Sequence, residues 1–121
     1  KSQRSNTQDA PDAIYEMAVR FFSGQNVAPN PKKARELFSK YLQLDSSKTE
    51  NFKRFVALHM IGVDYHNRGH LEEAVESYKK ALHFMIDNLP VSQWENCDID
   101  VINDLYTAQE VLREMKLELD K

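Results

Sequence analysis

Apolar residues return at helical spacing in five stretches of this chain. Ile14, Met17, Ala18, Phe21 and Phe22 share one face. Asp9, Pro11 and Asp12 ahead of them suit a cap and first turn, so a first helix is predicted from about residue 10 to Gly24. Asn30 and Pro31 are a cap and first position for a second helix, whose stripe is Ala34, Leu37, Phe38, Tyr41 and Leu44. Ser47-x-x-Glu50 has the spacing of a capping box. It precedes a third stripe of Phe52, Phe55, Val56, Leu58, Ile61, Gly62 and Tyr65. The turn from His66 to Gly69 ends on a glycine that can take a left-handed conformation without steric cost. Leu71, Ala74, Val75, Tyr78, Ala81, Leu82 and Met85 mark a fourth helix, and Pro90 stops it. Beyond a loop holding Trp94, the residues Ile99, Ile102, Leu105, Tyr106, Leu112 and Met115 predict a fifth helix from about Asp98. No segment sustains period-two alternation. The fold class is all-α, with short connections that make neighbouring helices antiparallel.

The first and second helices, then the third and fourth, repeat one plan of two similar helices joined by a turn. The second pair reads Leu58-x-x-Ile61-Gly62-x-x-Tyr65, then Ala74, Tyr78 and Ala81. Gly62, Ala74 and Ala81 are small where helices must approach closely, while Leu58, Tyr65 and Tyr78 fill the space between. A glycine inside a helix costs about 1 kcal/mol against alanine, so Gly62 needs a packing reason. This pattern resembles the tetratricopeptide repeat. The first pair carries Tyr15-x-Met17-Ala18-x-x-Phe21-x-x-Gly24-Gln25-x-Val27 and Lys33-Ala34-x-x-x-Phe38. Phe21 and Ala34 lie 13 residues apart, against nine between Tyr65 and Ala74. That longer loop is similar to the Sel-one-like subclass. Two departures stand out: Ile86 occupies the place of the expected proline, and bulky Tyr41 that of a small residue. The resemblance implies a short α-α superhelix with repeat one over 10–44, repeat two over 50–89 and a capping helix over 98–119. Together these form a single domain over 9–121. Residues 1–8, which include no apolar side chain, are expected to form a disordered leader.

Arrays of this kind line a concave surface with the first helix of each pair. The resemblance therefore implies a groove for a peptide or partner helix. Helical spacing puts Tyr15, Val19 and Phe22 there, then Val56, His59, Val63 and His66, with Tyr106 and Arg113 from the fifth helix. Relatives that clamp acidic chaperone tails place Asn after the motif glycine and Lys four residues before that Asn. This chain has Val63 and His59 in those places, so no chaperone carboxyl-terminal tail is expected to bind. A second reading stays open, in which Val19, Phe22 and Val63 pack against a further helix. Trp94 either anchors a partner or folds over the end of the fourth helix.

Composition narrows the chemistry. With 16 Lys+Arg against 19 Asp+Glu in 121 residues, a net charge of −3 gives no nucleic-acid footprint. The longest nearly apolar run, residues 55–63, contains His59 and is too short for a bilayer, and no export signal opens the chain. A lone Cys97 and no glycosylation sequon point to a reducing, cytoplasmic setting. The carboxylates of Glu95, Asp98 and Asp100 near Cys97 argue against a reactive thiol. His59, His66 and His70 lack the further ligands a metal needs. Asp98, Asp100 and Asp104 lack the glycine and bidentate Glu of a calcium loop. Three glycines, all spent on turns or helix contact, leave no phosphate cradle, and no catalytic motif is present. No cofactor is expected. The expected function is a non-catalytic adaptor, with a self-associating scaffold or an accessory domain beside a catalytic one as alternatives. A chain opening on Lys rather than Met is expected to be part of something longer.

Overall fold

The computed structural model describes residues 2–94 and 98–119, and side chains except those of residues 2–9, 98, 99, 118 and 119. All five principal elements are α-helices, and no strand occurs among the described residues. They are α1 (Ser2–Ser23), α2 (Pro31–Gln43), α3 (Asn51–Asn67), α4 (Leu71–Asn88) and α5 (Asp98–Leu119), with single 3₁₀ turns at Ser46–Lys48 and Val91–Gln93. No helix among the described residues is long and apolar enough to cross a membrane. Cys97 and Glu95 lie outside the described residues.

The chain divides into two compact units, residues 1–57 and 58–121, with the boundary inside α3 rather than in the connector before it. In the first unit α1 packs on α2. The helix α1 begins at Ser2, well before the start expected near residue 10, so the segment expected as a leader is largely helical and Asp9 lies inside the helix instead of capping it. Pro11 sits in that helix, where a missing N–H costs about 3 kcal/mol, and its burial is the compensating contact. After α1, Gly24 adopts φ +79°, and a Cβ there would come within 2.7 Å of the Pro29 ring. Asn30 caps α2 through its side chain, which accepts from the Lys33 N–H at 3.1 Å, and Pro31 fills the first turn.

The expected Ser47–Glu50 capping box is replaced. Asp45 accepts from the Ser47 N–H at 3.0 Å and starts the 3₁₀ turn. Those hydrogen bonds from Ser47 hold the Asp45 carboxyl below its ordinary range. Glu50, just before α3, donates its N–H to the Tyr41 hydroxyl at 3.1 Å. Tyr41 is fully buried, so its extra bulk carries a hydrogen bond into the interior. The guanidinium of Arg54 donates to Leu42 O at 3.0 Å and Leu44 O at 3.4 Å, satisfying the C-terminal carbonyls of α2. These bonds tie the first turns of α3 to α2, which is why the unit includes them.

In the second unit α4 buries Leu71, Ala74, Val75, Tyr78, Ala81 and Met85, and α5 buries Val101 and Ala108. Gly62 does what its smallness predicted. A Cβ there would lie 2.6 Å from Tyr78 Cε1 and 3.2 Å from Ser77 Cβ. Gly69 takes φ +82° in the turn before α4. Glu72 and Glu73 follow in the first turn, where carboxylates favour the helix dipole. At the other end Trp94 donates its indole N–H to Leu89 O at 3.0 Å, so it folds back over the end of α4.

Candidate partner-binding site

The nine residues expected to line a groove fall in both units and have different surroundings. In the first unit, Tyr15 is part of the aromatic packing, 6.2 Å from Phe38 and 5.6 Å from Tyr41 by ring centroids. The Lys53 ammonium lies 5.4 Å over its ring, held by Asp12 at 3.0 Å and Glu50 at 3.3 Å. Burial pushes the Tyr15 hydroxyl pKa up, with Lys53 pulling the other way. Burial opposes the charge on Lys53, yet its bonds to Asp12 and Glu50 prevail and raise its pKa. Val19 borders a shallow pocket of about 230 Å³ with Tyr15, Glu16, Arg20 and Gln25. Phe22 and Val56 are half-buried.

In the second unit His59 is 8% exposed, so it is an interior residue rather than a surface cation. Its Nε2 lies 2.8 Å from Asp104 Oδ2 on α5, and its ring meets Tyr78 edge-on at 5.8 Å. The Tyr78 hydroxyl lies 3.1 Å from His66 Nδ1, so His66 is also engaged from within the unit. Burial, with the Asp104 carboxylate adding to it, pushes the Tyr78 pKa well above its ordinary value. Val63 is half-buried. Tyr106, at 70% exposure, and Arg113, paired with Glu110, face solvent. With Ile102 and Leu117 they fall on one stripe of α5 at positions i, i+4, i+11 and i+15. Asp104 therefore works as a partner for His59, and among the described residues no cluster of three or more His, Cys, Asp or Glu is placed to hold a metal.

A groove that the repeat pattern did not indicate lies in the second unit. It encloses about 560 Å³, and its lining is Leu82, Met85 and Ile86 of α4, Ile102 and Leu105 of α5, Trp94, and Lys79 with His83. Met85 is buried, whereas Ile86 and Ile102 stand 56% and 42% exposed. Lys79, Leu82, His83 and Ile86 are spaced i, i+3, i+4, i+7, one face of α4 beside its buried stripe. Ile86 is displayed because α4 runs on to Asn88, past the place where a repeat proline was expected. The signal in the sequence was Ile86, off the stripe of the fourth helix, and Ile102, on the stripe of the fifth, flanking the single tryptophan. Nothing local to either helix says that they converge. No protein-family model, no curated protein and no solved structure matches this chain.

Proposed function

We propose that this chain is a non-catalytic protein-interaction module, tetratricopeptide-like in plan, that holds a partner peptide or helix in the groove between α4 and α5. The observation that carries the reading is that groove, with an isoleucine exposed on each of its two helical walls. Large aliphatic side chains exposed around a concavity gain by being covered, at about 25 cal/mol per Å² of apolar surface. The hydrogen bond from Trp94 to Leu89 fixes one wall before any ligand arrives, which lowers the entropic cost of binding. Around residues 56–66, His59 buried against Asp104 would present no cation to a terminal carboxylate, which argues against a chaperone tail as ligand.

The test is a peptide-display selection on the immobilised chain, repeated with Ile86→Glu and Ile102→Glu. The wild type should enrich a related set of sequences that neither variant retains, with far-ultraviolet circular dichroism unchanged. Enrichment that survives both substitutions overturns the assignment of the groove. The exposed α5 stripe of Ile102, Tyr106 and Leu117 favours a second reading, a self-associating scaffold. Light scattering decides it: a mass rising with concentration supports that reading, and a constant monomer mass removes it.

A further inference from the structure

We infer that the α4–α5 groove takes an amphipathic helix carrying a carboxylate about two turns from the side chain anchored over Ile86. This rests on the binding-module reading above and adds the conformation and charge of the partner.

The conformation follows from what the walls lack. Both walls are helices, whose backbone groups bond within themselves. The indole N–H of Trp94 is already spent on Leu89 O. Lys79 and His83 are the remaining polar side chains among the described lining residues. An extended peptide laid in this groove would face apolar walls with its own N–H and C=O groups unmatched. A helix brings its backbone bonds with it and offers only side chains, here to Leu82, Met85, Ile86, Trp94, Ile102 and Leu105.

The charge follows from the rim. The protein carries 19 Asp+Glu against 16 Lys+Arg, yet none of the described residues that line this groove is a carboxylate. Lys79 is the lining residue with a full positive charge, and the imidazole of His83 sits one turn further along the same face. Ile86 lies seven residues from Lys79, about 10 Å along the axis of α4. A ligand anchored over Ile86 and Ile102 therefore passes Lys79 with its next turns. A carboxylate there meets a cation at the edge of an apolar surface, where water screens the pair less than on an open face. A lysine in its place meets repulsion.

Two designed, side-chain-stapled helices of about 15 residues test this, a length at which unstapled peptides are only marginally helical. Both carry leucines at i, i+4 and i+7; one has glutamates flanking them and the other lysines. Binding to the full chain is read from the emission of Trp94, the only tryptophan, and by calorimetry. The glutamate peptide should bind about threefold to tenfold more tightly than the lysine peptide, a range expected of one partly screened pair changed from attraction to repulsion. Lys79→Glu should invert that order, and Ile86→Glu should abolish both. Equal or reversed preference in the wild type overturns the charge assignment while the groove stands. Absence of any Ile86-dependent binding overturns the groove reading itself. A dimer in sedimentation that Ile86→Glu dissolves assigns the groove to a second copy and overturns the inference.

Discussion

Each unit has a helix whose C-terminal carbonyls accept side-chain donors, and the donors differ. In the first, Arg54 from the following helix reaches Leu42 O and Leu44 O, and the Tyr41 hydroxyl receives the Glu50 N–H. The end of α2 is thereby bound to the start of α3. In the second, the indole of Trp94 bonds Leu89 O from a loop, and the face of α4 beyond it stays open. A guanidinium reaching back from the next helix, and a hydroxyl reaching forward to its start, join the two helices directly. Capping a helix with a flat aromatic ring from a loop makes a wall. The first unit joins its helix end to the next helix, and the second leaves an apolar groove beside its helix end.

The sharpest test of the second unit's interior is Gly62→Leu. Any Cβ at this position starts 2.6 Å from the ring of Tyr78, which is fully buried. Overpacking of this kind should cost about 3 kcal/mol, read as a fall in the urea midpoint. Its counterpart in the first unit is Gly24→Ala, where φ +79° and the Pro29 ring 2.7 Å away should cost about 1–2 kcal/mol. A stabilised Gly62→Leu would mean that the close helix approach is not there.

The caps come next in size. Arg54→Ala removes donors from two carbonyls and should cost about 1–2 kcal/mol, whereas Trp94→Phe, which keeps the ring and loses one N–H, should cost about 1 kcal/mol. Thermal unfolding ranks them. The more telling result is functional: Trp94→Phe should weaken ligand binding in the groove by loosening its wall, and Arg54→Ala should leave it unchanged. Equal effects on binding would break the distinction between a helix end joined to its neighbour and one that walls a groove.

These residues also mark how far the sequence could be read. The Asn30–Pro31 start of α2, the turn at Gly69, the stop before Pro90 and the small residue at Gly62 were all legible, because each acts within a few residues or through the helical period. The start of α1 at Ser2 was not legible, because a polar stretch says nothing of its conformation when helix continues from it. The capping box failed because Tyr41, nine residues before Glu50, supplied the acceptor. His59 looked like a groove residue by spacing, and its partner Asp104 is 45 residues away, outside the reach of any periodicity. The same distance hid the groove: Ile86 and Ile102 are unremarkable singly and form a site only as a pair.

The smallest effect appears only in alkali and concerns two buried tyrosines. Burial raises the pKa of Tyr15 in the first unit and of Tyr78 in the second above the ordinary value of 10.0. Their neighbours differ in sign. Lys53 over Tyr15 favours the phenolate and offsets part of the burial, while Asp104 near Tyr78 disfavours it and adds to the burial. A group whose pKa is raised on folding contributes its full stability below the unfolded value. As pH climbs past about 10 the unfolded chain sheds protons that the folded chain keeps, so stability falls with pH. Urea midpoints between pH 9 and 11 should therefore decline, and Tyr78→Phe should flatten that decline more than Tyr15→Phe does. Tyrosinate absorbance, followed in parallel, should show Tyr78 ionising only as the second unit unfolds. Equal flattening by the two variants would mean that the cation in one unit and the carboxylate in the other do not act on these rings, and the electrostatic half of the comparison would fall.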